Sequence, residues 1–202
     1  MEPTGPKLSV RMAYSYAFAA AAFGIVILWL SHVRHGVPLS ELLGVGNIWI
    51  VFGLGTLAAV VLIGYGMAVA AFVPDRMWRD DGTNASFSRF SYLHIFLVML
   101  IGAVGEELIF RLGIQRMLVR ELASVTIGIG AAGALFAVSH VRYLKKPVLL
   151  VSIFLCGVVY GWSYWVTGSI WTSVWCHFLV NTVMSVVDKK GLLLPRRAVD
   201  KG

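Results

Sequence analysis

The sequence predicts an all-α fold: a polytopic membrane helical bundle of about six transmembrane helices, with both termini in the cytoplasm. Of 202 residues, 58% are hydrophobic and only 13% are charged, about half the charged fraction usual in a soluble domain. The charged residues lie in short clusters between apolar runs, and these runs reach the roughly 20 residues that cross a bilayer. All six prolines lie outside the runs or at their edges, as expected for residues that break helices.

The predicted spans follow one another along a single integral-membrane domain, residues 1–202. The first apolar run is too long for the h-region of a signal peptide, so we expect it to remain as a span. The last run holds two spans, separated by the turn-like sequence Thr167-Gly168-Ser169. In chain order, the spans are predicted within residues 12–33, 42–74, 90–106, 122–141 and, as two helices, 147–187.

The distribution of Lys and Arg predicts the orientation. Six spans divide the loops and tails into two sides; the side that includes both tails carries thirteen Lys and Arg residues, and the other side carries three, Arg34, Arg116 and Arg120. Basic residues accumulate on the cytoplasmic side of membrane proteins, so we expect cytoplasmic tails at residues 1–12 and 188–202. The net charge of +7 is therefore mainly a topology signal. We expect the lipid bilayer, and no nucleic acid, as a partner.

The helix of the third predicted span continues into three ionisable residues: Glu106, Glu107 and Arg111. Each such residue at membrane depth costs about 2.5 to 3.5 kcal/mol on insertion scales, so a functional role is the default hypothesis. Glu107 and Arg111 are i, i+4 neighbours on a helix and can pair. Glu106 points about 100° away from Glu107, which leaves it as an unpaired carboxylate within the membrane.

Polar residues in other spans can meet this carboxylate. His140 ends the fourth span, and His177 lies in the sixth, where Asn181 shares its helix face four residues later. A rise of 1.5 Å per residue places Glu106 about 21 Å and His140 about 28 Å from a turn near Glu121. We therefore expect Glu106, His140 and His177 to converge in the middle or the cytoplasmic half of the membrane.

Two kinds of chemistry fit these residues. A shielded carboxylate beside a histidine can activate a water molecule as a general base, and His177 with Asn181 can donate hydrogen bonds to an oxyanion. Alternatively, Glu106, His140 and His177 could bind zinc, which takes ligands of this kind and activates water itself. The spacing does not match the compact H-E-x-x-H pattern. We therefore expect no metal and no other cofactor, with zinc as the alternative.

Three motifs together resemble a known family. Glu106-Glu107-x-x-x-Arg111, Phe136-x-x-x-His140 and His177-x-x-x-Asn181 look like those of the CAAX protease and bacteriocin-processing family (CPBP, also called Abi), over roughly residues 90–185. The family consists of intramembrane glutamic-type or metallo-endopeptidases. The resemblance implies that Glu106 activates water with His140 as its partner, and that His177 and Asn181 stabilise the tetrahedral intermediate. It also implies that Glu107 and Arg111 support the site.

The sequence thus favours an intramembrane endopeptidase acting on a membrane-associated protein or peptide. Its basic character and short loops suggest the inner membrane of a bacterium, and a peptide or sorting signal rather than a CAAX tail as substrate. Two alternatives remain. The polar cluster could be purely structural, in a non-catalytic immunity or scaffold protein, or it could serve as a proton relay in a small transporter.

Overall fold

The computed structural model describes residues 8–78 and 82–193, which form long helices joined by short turns and contain no β-strand. Short helical turns occupy Leu39–Leu42, Asp75–Trp78, Thr83–Ser86, Phe87–Arg89 and Val141–Tyr143. Most of the two predicted tails lies outside the described residues, and so does Arg79, one of the thirteen basic residues counted on the cytoplasmic side. The cytoplasmic location of the two tails therefore stays a prediction. The long helices are α1 (Val10–His35), α2 (Ile48–Phe72), α3 (Tyr92–Glu121), α4 (Val125–Ser139), α5 (Pro147–Thr167) and α6 (Ile170–Lys189).

These helices coincide with the six predicted spans, and the prediction of an all-α polytopic bundle is confirmed. Five of them are long and apolar enough to cross a membrane. Helix α4 has 15 residues and is therefore about 22 Å long, which is less than the roughly 30 Å of the hydrocarbon layer. A sixth full crossing thus stays a prediction.

Polar side chains and glycines set the ends of the helices. The side chains of Ser9, Asn47, Ser91 and Ser124 accept hydrogen bonds from the first-turn backbone N–H groups of α1, α2, α3 and α4, which otherwise have no partner within the helix. Helix α5 ends at Gly168, whose φ of 65° is the left-handed conformation that glycine adopts without strain. The turn predicted at Thr167-Gly168-Ser169 is therefore confirmed.

Helix α3 lies between α1 and α6, and it also contacts α4. Helix α6 packs against α2 and α5, while α4 packs against α5. Large apolar side chains cover the outer surface of the bundle, including Trp49, Phe72 and Val141, which are 84%, 76% and 71% exposed. A soluble protein rarely exposes apolar surface on this scale, whereas lipid tails solvate it. The chain is an integral membrane protein.

The connection between α1 and α2 closes one end of the bundle. Leu42 is buried at 2% exposure, the Ser169 hydroxyl donates to the carbonyl of Gly44 at 2.9 Å, and the Trp171 indole donates to the carbonyl of Leu43 at 2.8 Å. These contacts join the connection to the α5–α6 turn. An interior cavity can therefore open towards the opposite end, where α1 and α3 begin and α6 ends.

Gly105 allows α1 and α3 to pack closely. A Cβ atom at this position would lie 2.4 Å from the backbone nitrogen of Ala21 and 2.5 Å from the carbonyl carbon of Ala20. These are backbone atoms, which cannot move aside without moving α1. The close approach fixes α1 beside the following residue, Glu106.

We expect Gly105→Ala to push α1 away from α3 and to lower the free energy of unfolding by about 1–3 kcal/mol, the usual cost of overpacking. Thermal unfolding of the purified protein in detergent measures this loss. Gly64→Ala is the matched control, because a Cβ at Gly64 has no described atom within 4 Å. Equal unfolding midpoints for the two variants would contradict the assigned role of Gly105.

Candidate active site

Glu107 and Arg111 form a fully buried ion pair within α3. Both side chains are 0% exposed, and the Arg111 Nε donates to Glu107 Oε2 at 2.7 Å. The pairing predicted from the i, i+4 spacing is therefore present. A buried charge pair is tolerated only when further hydrogen bonds satisfy the remaining polar atoms, and the neighbouring contacts supply them for all but Nη2 of Arg111, which has no partner among the described residues.

Gln115 extends the ion pair to a second helix. Arg111 Nη1 donates to Gln115 Oε1 at 2.9 Å, and Gln115 Nε2 donates to the carbonyl of Gly161 in α5 at 3.1 Å. Arg111 and Gln115 belong to a π-helical segment of α3, Leu108–Gln115, a form that occurs frequently at functional sites. Sequence reasoning missed Gln115, although a glutamine four residues after the intramembrane arginine was a signal for it.

Gly161 makes room for this chain of hydrogen bonds. A Cβ there would lie 2.7 Å from Gln115 Oε1 and 3.0 Å from Arg111 Nη1. Any larger residue would therefore displace the amide from the guanidinium.

His177 of α6 completes the coordination of Glu107. Its Nδ1 lies 2.8 Å from Glu107 Oε1, and its side chain is 4% exposed. Sequence reasoning did not foresee this contact. Because a carboxylate only accepts hydrogen bonds, Nδ1 carries a proton and donates a hydrogen bond to Glu107 Oε1. The imidazole also stacks on the Tyr160 ring, with 4.7 Å between centroids and an angle of 16°, so its orientation is fixed and Nε2 points towards Glu106.

Glu106 differs from Glu107 in exposure and in hydrogen bonding. Its side chain is 31% exposed, and its Oε2 lies 3.9 Å from His177 Nε2. Within the described part of the chain, Oε2 is shielded from solvent and has no hydrogen-bond partner. Arg111 thus pairs with Glu107 and not with Glu106. A gap of 3.9 Å is too long for a direct hydrogen bond.

His140 lies just beyond the last residue of α4. Its Nδ1 is 2.8 Å from the carbonyl of Phe136, and its ring stacks on Tyr143 with 5.8 Å between centroids and an angle of 9°. Nε2 therefore remains available to a substrate or to water. The contacts described for His140 do not include Glu106, so the partnership implied by the family resemblance stays a prediction.

Phe136 connects the two histidines and the arginine. Its ring centroid lies 4.9 Å from that of His140 and 5.9 Å from that of His177, and the guanidinium carbon of Arg111 is 5.8 Å from it. The phenyl ring is 2% exposed. It separates the buried ion pair from His140 and excludes water from the space between them.

The predicted site residues meet at one cavity of about 610 Å³, which Glu106, His140, His177 and Asn181 all line. A second cavity of about 550 Å³, between the beginning of α1 and the end of α4, also reaches Glu106 and His140. Glu106, His140 and His177 thus share one cavity, and their depth in the membrane stays a prediction. Glu106 and His140 lie at the border of the two cavities.

The zinc alternative depends on Glu106, His140 and His177. Each of them keeps one atom that could bind a metal: Oε2 of Glu106 and Nε2 of each histidine. Among the described residues, however, no group of three or more His, Cys, Asp or Glu side chains is placed so that it could hold a metal ion. The three residues do not form a metal site as they are placed.

Comparisons with known proteins agree with the motifs. The family model for Rce1-like proteins, type II CAAX prenyl endopeptidases, matches residues 88–183. A Bacillus subtilis (strain 168) protein, the uncharacterized protein YpbD, is 32% identical over 173 residues, which is 83% of this chain and 82% of that protein. No solved structure matches the chain significantly.

We expect Gln115→Met to lower the free energy of unfolding by about 1–3 kcal/mol, because it leaves Arg111 Nη1 buried without a partner and removes the bond that joins α3 to the Gly161 carbonyl of α5. Arg116→Gln is the matched control on the same helix. It removes an ion pair with Glu41 whose side chains are 35% and 59% exposed, and such pairs contribute at most about 1 kcal/mol. Unfolding of both variants in detergent measures the two losses. If Gln115→Met loses no more free energy of unfolding than Arg116→Gln, the assigned role of Gln115 is contradicted.

Proposed function

Because the chain belongs to the Rce1-like group of the CPBP family, a family of membrane-embedded proteases, we propose that it is an intramembrane endopeptidase. It hydrolyses a peptide bond of a membrane-associated protein or peptide with water activated by Glu106. The observation that supports this proposal best is the Glu106 side chain, which lines the cavity at 31% exposure while its Oε2 lies 3.9 Å from the oriented His177 imidazole.

Glu106 acts as the general base. Its carboxylate accepts a proton from a water molecule while the oxygen of that water attacks the carbonyl carbon of the substrate. His140, at the border of both cavities, uses its Nε2 to orient the water. When the tetrahedral intermediate collapses, Glu106 returns the proton to the leaving nitrogen. No covalent bond to the enzyme forms.

His177 and Asn181 stabilise the oxyanion of the tetrahedral intermediate. The Asn181 amide can donate a hydrogen bond to the oxyanion. His177 can donate a second one from Nε2 when this nitrogen carries a proton in addition to Nδ1. Glu106, Glu107 and Arg111 together hold one excess negative charge, which a doubly protonated His177 neutralises. Donors already oriented towards the developing charge need no rearrangement at the moment of reaction, which is the main advantage of such a site.

Glu107, Arg111 and Gln115 keep His177 in place without touching the substrate. The hydrogen bond from His177 to Glu107 Oε1 keeps the proton on Nδ1 of His177. Glu107 is held in turn by Arg111, which is held by Gln115, and Gln115 is bonded to the carbonyl of Gly161. Partners that orient a functional side chain in this way commonly contribute about 10–100-fold to activity in metalloenzymes. Because the three metal-binding candidates are not grouped, no step of this mechanism passes through a metal.

The cavity indicates how a substrate reaches the site. It extends from Glu106 past Asn181 and Met184 to Asp188, at the end of the bundle where α6 ends. The opposite end is closed by the α1–α2 connection. With the predicted orientation, the cavity opens towards the cytoplasmic side, so that a substrate anchored in the inner leaflet can enter it.

We expect Glu106→Gln and His140→Gln to reduce peptide cleavage by about 10²–10⁴-fold, the contribution typical of a positioned general base. Glu121→Gln and His94→Gln are the matched controls. Glu121 is exposed at the end of the same helix, and His94 bonds the hydroxyl of Tyr14, away from both cavities. Membrane proteomics of the variant strains, which detects an uncleaved precursor, measures the effect in cells.

The proposal requires the precursor to accumulate with both site variants and with neither control. Cleavage that persists in a folded Glu106→Gln protein would contradict the assigned mechanism. An immunity phenotype that survives Glu106→Gln, with no precursor in any strain, would instead indicate a non-catalytic protein.

A further inference from the structure

The role proposed for His140 depends on the orientation of its imidazole ring. Nδ1 lies 2.8 Å from the carbonyl of Phe136, and because a carbonyl only accepts hydrogen bonds, Nδ1 carries a proton. In the neutral imidazole, Nε2 then has a lone pair, which can accept a hydrogen bond from the water that Glu106 activates. A rotated ring would break the bond to Phe136 and misplace this lone pair.

Tyr143 holds one face of the imidazole. His140 follows the last residue of α4 and is only partly buried, so the helix itself restrains the ring little. The ring of Tyr143, three residues later, stacks on it at 5.8 Å between centroids and an angle of 9°, which is within the range of offset-stacked rings. Tyr143 is 4% exposed and lines the same cavity as His140.

The Tyr143 hydroxyl is bonded to a distant part of the chain. It accepts hydrogen bonds from Asn84 Nδ2 at 2.9 Å and from Arg142 Nη2 at 2.8 Å. Arg142 Nη2 also donates to Asn84 Oδ1 at 3.0 Å, and its guanidinium carbon lies 4.7 Å from the centroid of the Tyr143 ring. Asn84 belongs to the connection between α2 and α3, 59 residues before Tyr143. These contacts therefore anchor the tyrosine ring on a second element of the fold.

We propose that Tyr143 is a positioning residue for the hydrolysis. Its ring keeps the His140 imidazole in the orientation in which Nδ1 bonds the Phe136 carbonyl. Asn84 and Arg142 keep the tyrosine ring in place through its hydroxyl. This inference rests on the proposed endopeptidase function and deepens it, because it names the group that aligns the histidine with the attacking water.

The test compares two changes of one residue. Tyr143→Leu removes both the stacked ring and the hydroxyl, whereas Tyr143→Phe removes the hydroxyl alone. Tyr14→Leu is the matched control, because the Tyr14 hydroxyl also bonds a histidine, His94, at 3.2 Å, and neither of these two residues lines either cavity.

The first measurement is the position of the proton on His140. NMR of the full-length proteins with isotope-labelled histidine, in detergent and in alkaline buffer, shows which ring nitrogen is protonated. The signal that is missing in His140→Gln identifies His140. We expect the proton on Nδ1 in wild type and in Tyr14→Leu, and a mixture of both tautomers in Tyr143→Leu. Partial unfolding would weaken this signal without changing the tautomer of the folded protein.

The second measurement is cleavage in liposomes. A library of single-span peptides with randomised juxtamembrane residues supplies the peptide that wild type cleaves fastest, and Glu106→Gln provides the background. We expect Tyr143→Leu to lower kcat about 10- to 100-fold with KM nearly unchanged, because a misplaced group slows the reaction without weakening substrate binding. Tyr14→Leu should match wild type.

Tyr143→Phe should fall between wild type and Tyr143→Leu in both measurements, because it keeps the ring and loses the bonds that hold it. This variant also keeps the test valid if leucine impairs folding. A value equal to that of wild type would contradict the role of the hydroxyl, and a value equal to that of Tyr143→Leu would contradict the role of the ring. Either result overturns the inference.

The two measurements separate the possible failures. An unchanged tautomer of His140 in Tyr143→Leu overturns this inference alone, and so does an unchanged kcat. A change in KM alone would place Tyr143 in contact with the substrate and would likewise overturn it. No cleavage by wild type above the Glu106→Gln background would instead contradict the proposed function, and with it the catalytic purpose assigned to Tyr143.

Discussion

Placing a carboxylate and a guanidinium between apolar helices costs several kcal/mol for each ion, even after the surroundings relax. The bundle offsets this cost at Glu107 and Arg111 with a nearly complete set of hydrogen bonds, to each other, to His177 and to Gln115. These bonds reach α5 and α6 from α3. The requirement to satisfy one buried ion pair therefore fixes the relative positions of three helices, and the site is built on that arrangement.

The same requirement separates the roles of two adjacent glutamates. Successive residues on a helix point about 100° apart, so that only one of the two can face Arg111. Glu107 does, and each of its two carboxylate oxygens accepts a hydrogen bond, Oε2 from Arg111 and Oε1 from His177. Glu106 lines the cavity, and its Oε2 has no hydrogen-bond partner among the described residues. A polar atom left without a partner is unfavourable for stability, and the proposed catalytic role would account for it.

Local features of the site could be predicted from the sequence, whereas contacts between helices could not. The charge-free runs located the helices, and the i, i+4 spacing predicted the Glu107–Arg111 pair, because both depend on residues close in the chain. The bond from His177 to Glu107 joins residues 70 positions apart and depends on how α3 and α6 are rotated. The π-helical segment likewise packs against α1 and α5, contacts that no single helix encodes.

The central claim is that Glu107 holds the structure together and Glu106 carries out the chemistry. The most direct test is the free energy of unfolding of Glu107→Gln and Glu106→Gln, measured side by side in the same detergent. The claim predicts a loss of about 3–5 kcal/mol for Glu107→Gln, the usual cost of breaking a buried charge pair, and no loss for Glu106→Gln. Equal losses, or a larger loss for Glu106→Gln, would contradict it.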